Sequence, residues 1–414
     1  MAAVQGFPKV WAEAQEEAMR NRRGRVRAGC RIWALSLASV LASTAFGAPG
    51  AFAQQQPIAE VRDELETLPR ARSATEEPEP KSKKADLLVV PIPLTNPALG
   101  TGAMLTGVVF YNPNDAPQPW ISGVGVMATS TGTKGAGAFH SMSLDHDRFR
   151  FLVFAGYADA KLKFYGIGAD AGARGVHVDL EDKGLGGLAQ AQVRLANHLY
   201  GGVRLEYLNV DSTAEIPHPN YPDLNLPPLE LKSTLAMLGP SLTYDSRNSS
   251  LNPSRGSYVT AFWTFGSKFL GSDFSHDKLQ VGANFYASVT KTTVAAFRGS
   301  TCSVSKRVPF YDLCMYGQSG DLRGYEAGRY RDRFTWAFQG EFRQKLFGKF
   351  GAVAFGGVGG VAPSADQIGD SKVLPSVGAG LRYQASKSNN VNLRLDFAAG
   401  IDGHAVYFGI GEAF

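Results

Sequence analysis

A short segment near residue 320 carries a side chain well suited to hold a loop by ion pairing. Residues 321–332, DLRGYEAGRYRD, contain the tetrapeptide Leu322-Arg323-Gly324-Tyr325. The arginine guanidinium offers a planar fork of donors to carboxylates, and the glycine after it tolerates a positive φ. The segment is polar and too irregular for a strand, so it predicts a long ordered loop folded into a barrel.

The sequence contains none of the common enzyme motifs. The sequence has no G-x-S-x-G, H-E-x-x-H or P-loop pattern, and Gly166-x-Gly168 lacks the βαβ context of a dinucleotide site. The seven histidines are scattered, and His146 between Asp145 and Asp147 is either a cation ligand or part of a hydrophilic turn. The sequence therefore predicts no catalytic residue, no cofactor, no metal site and no enzymatic activity.

Two cysteines lie in the approach to the loop. Cys302 and Cys314 stand on either side of Pro309. Without a nearby histidine they make a poor zinc site, whereas an oxidising compartment would let them pair. Spacing alone does not decide between a disulfide and two free thiols.

Period-two alternation runs through residues 86–414 and predicts the strands that must position these groups. Phe149 and Phe151, for example, alternate with Arg148 and Arg150. Alternation over segments of about ten residues is typical of a membrane β-barrel with an apolar exterior and a polar lumen, although a soluble sandwich alternates as well. The composition, with 47 glycines, 11% aromatic and 19% charged residues, suits strands and tight turns.

The alternating segments predict sixteen strands, eleven before the loop and five after it. An even number brings both ends of the chain to the periplasmic side. The predicted fold class is all-β, a sixteen-stranded antiparallel transmembrane β-barrel with a long loop folded into the lumen. The predicted strands are 86–94, 101–112, 119–130, 135–145, 148–158, 185–196, 199–211, 233–245, 257–267, 276–289, 292–302, 334–346, 350–361, 372–385, 390–400 and 404–414.

The first 53 residues have the pattern of a secretory signal peptide. Six arginines precede an apolar run at 32–46, and a small-x-small cleavage pattern comes just before Gln54. A membrane anchor is the alternative, but the run is short for a membrane span. Residues 1–18 contribute nothing that a signal needs, so translation is expected to start at Met19.

Residues 54–85 are predicted to be a disordered periplasmic linker. The segment is charged and contains prolines, and it is too short for a folded domain with its own core. The overall charge of +5 comes mostly from the first 53 residues, so the rest of the chain is almost neutral. This balance argues against a nucleic-acid partner.

Three segments in order resemble the BamA/TamA family of outer-membrane assembly barrels, which are bacterial surface antigen barrels. In chain order they are FYGIG at 164–168, YDSRN with NPSRGSY within 244–258, and the LRGY tetrapeptide at 322–325. The resemblance covers residues 86–414 and implies a Gram-negative outer-membrane barrel that assists insertion or translocation of outer-membrane polypeptides.

The same resemblance bears on partners. Family members usually carry periplasmic POTRA domains before the barrel, and residues 54–85 leave no room for one. The implied partners are outer-membrane lipid and lipopolysaccharide, client outer-membrane polypeptides, and a separate protein as periplasmic receptor.

The resemblance also implies a role for Arg323. In the family this loop folds back into the lumen, where its arginine contacts acidic residues on inward strand faces. Alternation in this sequence places Glu341 and Asp396 on inward faces. We therefore expect Arg323 to pair with one or both carboxylates; a solvated loop charge is the alternative.

The C-terminus resembles the assembly signal of outer-membrane barrels. Phe408, Ile410 and Phe414 are predicted to share one face of the last strand, with Glu412 interrupting that face near the bilayer boundary. A strand that simply ends in an aromatic residue is the alternative. This strand must meet the first one, and its glycines indicate either a weak seam there or close packing under the loop inside the barrel.

Two functions from different classes remain at this point. One is an assembly or translocation barrel whose seam is controlled by the Arg323 loop. The other is a passive diffusion pore or structural outer-membrane barrel with a lumen lined by charged side chains.

Overall fold

Sixteen strands form one antiparallel sheet that curves into a nearly closed barrel. The structure, a computed structural model, describes residues 86–96, 100–111, 113, 120–215, 229–249, 252–305, 308–317, 321–386 and 391–414. Each barrel strand is hydrogen-bonded to its neighbours in chain order. The barrel strands are β1 (Asp86–Asn96), β2 (Gly100–Tyr111), β3 (Trp120–Thr129), β4 (Lys134–Leu144), β5 (Phe149–Phe164), β6 (Val178–Ala196), β7 (Leu199–Glu215), β8 (Leu229–Asp245), β9 (Gly256–Gly266), β10 (Asp277–Ser288), β11 (Thr293–Val304), β14 (Phe334–Lys345), β15 (Phe350–Ala362), β16 (Leu374–Ser386), β17 (Val391–Gly400) and β18 (Gly403–Ile410).

Shorter elements lie in the connections. Strands β12 (Cys314–Tyr316) and β13 (Tyr330–Asp332) pair with each other between β11 and β14. Helix α1 (Ala169–Arg174) lies between β5 and β6, and a 3-10 turn at Phe310–Asp312 precedes β12. Across the described ranges, no helix has the length and apolar character needed to cross a membrane.

The predicted sixteen-stranded fold is confirmed, with two differences in strand length. Strands β5 to β8 extend beyond their predicted bounds, because their ladders continue above the apolar band through charged cross-strand pairs. Strand β18 ends at Ile410 instead of residue 414, because Gly411 adopts a φ of 84° and turns the chain.

Burial alternates along the strands as the pattern predicted. On β5, Val153 and Tyr157 are 50% and 52% exposed, whereas Phe154 between them is 4% exposed. The exposed side chains are the apolar ones that face lipid. The alternation therefore separates an outer apolar surface from an inner face.

The prediction of a polar lumen is wrong for the sector formed by β2 to β6. Inward side chains there form an apolar cluster, and its two aromatic rings lie against glycines of the neighbouring strand. A Cβ at Gly123 would lie 2.2 Å from the Phe139 ring, so glycine makes room for that ring. The cluster consists of Val108, Ile121, Phe139, Phe154, Ala158 and Leu188.

The two end strands approach each other, but no hydrogen-bonded ladder joins β1 to β18 among the described residues. The barrel is therefore nearly closed rather than sealed. The predicted signal peptide (1–53, with a start at Met19) and the predicted linker (54–85) lie outside the described residues and stay predictions.

Candidate functional site

The connection between β11 and β14 folds into the barrel and packs on its inner wall. Aromatic and leucine side chains of this loop are buried against inward residues of β14, β15 and β16. Aromatic edge-to-face contacts join the loop's tyrosines at centroid distances of 5.3 to 6.5 Å. The cluster comprises Tyr316, Leu322, Tyr325, Tyr330, Ala337, Val361 and Leu374.

Gly324 lets the loop approach the wall closely. Its φ of 113° is one that other residues rarely adopt, and a Cβ there would lie 3.0 Å from the Ala399 carbonyl carbon. The next residue, Tyr325, lies over Gly400 and donates its hydroxyl to the Pro375 carbonyl at 2.5 Å. The tetrapeptide is thus seated on β16 and β17.

Arg323 is completely buried and meets both carboxylates that the sequence placed on inward faces. Its Nη1 donates to Asp396 at 2.5 Å, and its Nη2 donates to Glu341 at 2.6 Å. Its Nε donates to Gln339 at 3.3 Å, and the guanidinium lies 3.5 Å from the centre of the Phe355 ring. A buried guanidinium with all three nitrogens engaged holds the loop far more firmly than an exposed pair would.

The two carboxylates also bind arginines of the wall. Arg343 donates to Glu341 at 2.5 Å, and Arg382 donates to Asp396 at 2.5 Å. These wall partners were not predicted as site residues, although they occupy inward positions of the alternating pattern on β14 and β16. We call the set the lumenal network: Arg323, Glu341, Arg343, Arg382, Arg394, Asp396 and Glu412.

The loop also reaches the last strand. The backbone N–H of Gly324 donates to the Tyr407 hydroxyl of β18 at 2.9 Å. Ser376 of β16 donates to the Arg323 carbonyl. The LRGY segment therefore contacts an end strand of the sheet directly.

Another family-like segment, FYGIG at 164–168, meets the same loop. The Tyr165 hydroxyl donates to Glu326 at 2.8 Å, and the Gly168 N–H donates to the Arg331 carbonyl at 2.8 Å. Burial lowers the pKa of Arg331 to about 10, against an opposing effect of Asp182. Two motifs distant in sequence thus form one interface inside the barrel.

The family-like segment at 244–258 spans the end of β8 and the start of β9. Arg247 pairs with Asp245 at 2.9 Å and lies 4.0 Å from the Tyr258 ring centre. The segment joins the lumenal network, because Arg343 donates to the Pro253 carbonyl at 3.2 Å.

A second anchor holds the start of the loop. Asp312 accepts from Lys278 at 2.7 Å and contacts His276 at 2.6 Å. Burial alone would raise the pKa of Asp312, but the two basic side chains outweigh it and lower the pKa below its usual value. The pairing thus adds stability above pH 3.8, which is lost as pH falls through the lowered pKa. No periodicity marks Asp312 in the sequence, so this anchor was not predicted.

Cys302 and Cys314 form a disulfide that ties the start of β12 to β11. Their Cα atoms are 5.7 Å apart, and both side chains are buried beside Val304 and Leu313. The link fixes the root of the loop near the Asp312 anchor.

The predicted common face of Phe408, Ile410 and Phe414 is wrong for Phe414. Beyond the turn at Gly411, the Phe414 side chain is buried against Tyr286 and Ala296 of β10 and β11. Glu412, expected at the bilayer boundary, is buried in the lumenal network.

In the described ranges, no group of three or more His, Cys, Asp or Glu side chains could hold a metal ion. The charged side chains that could have lined a pore are engaged with each other: Arg204 binds Glu206 at 2.5 Å, and Arg150 binds Asp147 at 2.6 Å. With the loop in the lumen, this arrangement does not favour a passive diffusion pore.

Comparisons with known proteins agree with the barrel. The family model described as the Omp85 superfamily domain matches residues 103–414. No curated protein matches the chain. BamA from Haemophilus ducreyi lacking POTRA domains 1–3 has a TM-score of 0.56 at 15% identity, with 85% of this chain and 76% of that chain covered.

Two structures of CdiB are also similar. CdiB from Escherichia coli has a TM-score of 0.56 at 16% identity, covering 80% of this chain and 63% of that one. CdiB from Acinetobacter baumannii has a TM-score of 0.52 at 12% identity, covering 80% and 60%. This chain thus spans less than two thirds of either CdiB, and likeness at such identities shows a shared fold. The family match over most of the chain establishes that the protein is an outer-membrane β-barrel belonging to the Omp85 superfamily.

Proposed function

We propose that this barrel assists the insertion or translocation of outer-membrane polypeptides, as a member of the BamA/TamA type. The observation that carries the proposal is the contact of the LRGY segment with both the lumenal network and β18. A loop so placed can set how readily β18 separates from β1. Among the described residues no ladder joins β1 to β18, and the edges of the sheet are where an incoming strand would add by strand pairing.

The proposed partners follow from this role. Client outer-membrane polypeptides would meet the seam, a separate protein would act as their periplasmic receptor, and outer-membrane lipid with lipopolysaccharide would surround the apolar exterior. Export through a cleaved signal peptide at 1–53 belongs to the same proposal.

The test is insertion of an unfolded porin into liposomes with and without the refolded protein, repeated with Arg323→Ala. We expect the wild type to accelerate insertion, and we expect that acceleration to depend on Arg323 and so to differ in the variant. Arg204→Ala is the matched control, because Arg204 is equally buried and also paired with a carboxylate, on β7. An insertion rate no higher than in empty liposomes would contradict the proposal.

A further inference from the structure

The last four residues turn inward at the periplasmic end of the barrel. Gly411 still pairs with β17, since its N–H donates to the Asn392 carbonyl at 2.7 Å, and its φ of 84° then redirects the chain. Glu412 and Phe414 beyond it are 8% and 9% exposed. We call residues 411–414 the tail.

Glu412 is held from three sides. Its carboxylate accepts from Arg382 Nε at 2.6 Å and from Asn392 Nδ2 at 2.7 Å, and it lies 3.7 Å from Arg343 Nε. Withdrawing Glu412 would leave the buried guanidiniums of Arg382 and Arg343 without one of their carboxylates, so the contacts oppose withdrawal of the tail.

Phe414 extends the attachment across several strands. Arg343 Nη2 on β14 donates to the Phe414 oxygen at 2.7 Å, and the Phe414 ring packs on Tyr286 and Ala296. The tail therefore links its own strand to β10, β11 and β14, which are several strands away around the barrel.

The tail shares its arginines with the loop. Arg382 contacts both Glu412 and Asp396, and Asp396 is a partner of Arg323. Arg343 likewise contacts both Glu412 and Glu341. Moving either the tail or the loop changes the charge balance around the other, because the pairs lie in one buried network.

We propose that the tail is a latch, in which Glu412 is a positioning residue that keeps the periplasmic end of β18 attached to the lumenal network. Releasing Glu412 frees that end of β18 to move away from β1. The inference rests on the proposed function, since it assigns a closing contact to the seam where a client strand would enter. Both parts of the latch, the tail and the lumenal network that holds it, belong to this chain.

The test measures the seam without any client. Spin labels on Leu87→Cys of β1 and Phe408→Cys of β18, in the full chain carrying Cys30→Ser, report their distance by pulsed electron resonance. Glu412→Gln removes the charge and keeps the shape of the side chain. We expect the population with a longer label distance to rise about tenfold, as loss of a charged hydrogen bond implies.

The controls separate a latch from general stabilisation. Glu206→Gln removes a paired lumenal carboxylate on β7, and it is expected to leave the seam distance unchanged. Glu412→Asp keeps the charge and is expected to restore much of the short distance. If Glu412→Gln does not refold, Phe414→Ala, which loosens the same tail, is measured instead.

An unchanged distance distribution in a folded tail variant would overturn the latch, as would an equal change in Glu206→Gln. Either result is independent of porin insertion. A wild type that fails to accelerate insertion while Glu412→Gln opens the seam would contradict the proposed function and leave the latch supported.

Discussion

The wall formed by β5 to β8 and the seam between β18 and β1 differ in how their strands are held in the barrel. Strands of the wall have 16 to 19 residues, and β5 and β6 pair continuously from Phe149↔Val193 to Phe164↔Val178. β18 has 8 residues, and among the described residues its one ladder is with β17. The wall holds itself by its own ladders, whereas the seam depends on groups that come from elsewhere.

Side chains follow the same division. Above the apolar band, a row of cross-strand partners with alternating charge runs from β4 across the wall to β8. Its members are Lys134, Asp159, Lys183, Asp211 and Lys232. Beside the seam, the charges are inside the barrel and converge on a loop and a tail. Cross-strand pairing thus stabilises the wall locally, while the seam side is stabilised by contacts of the loop and the tail.

Arg323→Ala is expected to have the largest effect. It leaves two buried carboxylates without one of their cations, and we expect a loss of about 3–5 kcal/mol in stability of the docked loop. Limited proteolysis of the 305–333 loop measures the release. Arg204→Ala should lower the stability of the wall by a comparable amount without exposing the loop. Equal protection of the loop from the protease in both variants would contradict the proposed difference between the wall and the seam side.

Removal of the disulfide is expected to have the second-largest effect. Cys302→Ser with Cys314→Ser opens a closed segment of 12 residues, which costs about 3 kcal/mol by loop-closure entropy. Because the link lies at the loop root, the loop should become more accessible while heat-modified mobility of the barrel on gels stays the same. If the gel mobility of the barrel changed while the loop stayed protected from protease, the disulfide would stabilise the wall and not the loop.

Tyr407→Phe is expected to have a smaller effect on stability than loss of the disulfide. It leaves the buried Gly324 N–H without the acceptor it has on β18, an expected loss of about 1–3 kcal/mol. Tyr200→Phe is the matched control, since the Tyr200 hydroxyl donates to Asp147 in the turn between β4 and β5. Hydrogen exchange of β18 should rise in the first variant only, and a similar rise in both would contradict a loop-dependent seam.

Asp211→Asn is expected to have the smallest effect. Its partner Lys232 is 2.9 Å away on a largely exposed surface, where such pairs contribute about 0.2–1 kcal/mol. Urea unfolding in detergent should show a small change that disappears at high salt. A large loss would mean that the charged row, and not the continuous ladders, holds the wall.

The strands were predictable because alternation repeats along each of them and survives small errors in their ends. The same alternation placed Glu341 and Asp396 on inward faces, and the resemblance supplied Arg323. The tail was not predictable in this way, since Val406, Phe408 and Ile410 continue the strand pattern and only Gly411 marks a turn. Asp312 was missed because irregular loops have no period, and its partners become neighbours only in the folded barrel.

The apolar sector of the lumen shows a further limit. Leu152 and Phe154 fall on the inward face by alternation, but the pattern does not tell which inward side chains pack on glycines of the next strand. Cross-strand neighbours depend on register, which a single sequence does not contain.

The most direct test of the account compares a locked seam with a locked wall in the porin-insertion assay. Cysteines scanned along β18 against Val89→Cys lock the seam, and Ala189→Cys with Leu205→Cys, which are register partners, lock the wall. We predict that the seam lock abolishes acceleration of insertion and that the wall lock preserves it. Full activity with the seam locked would contradict the claim that this protein works by opening between β18 and β1.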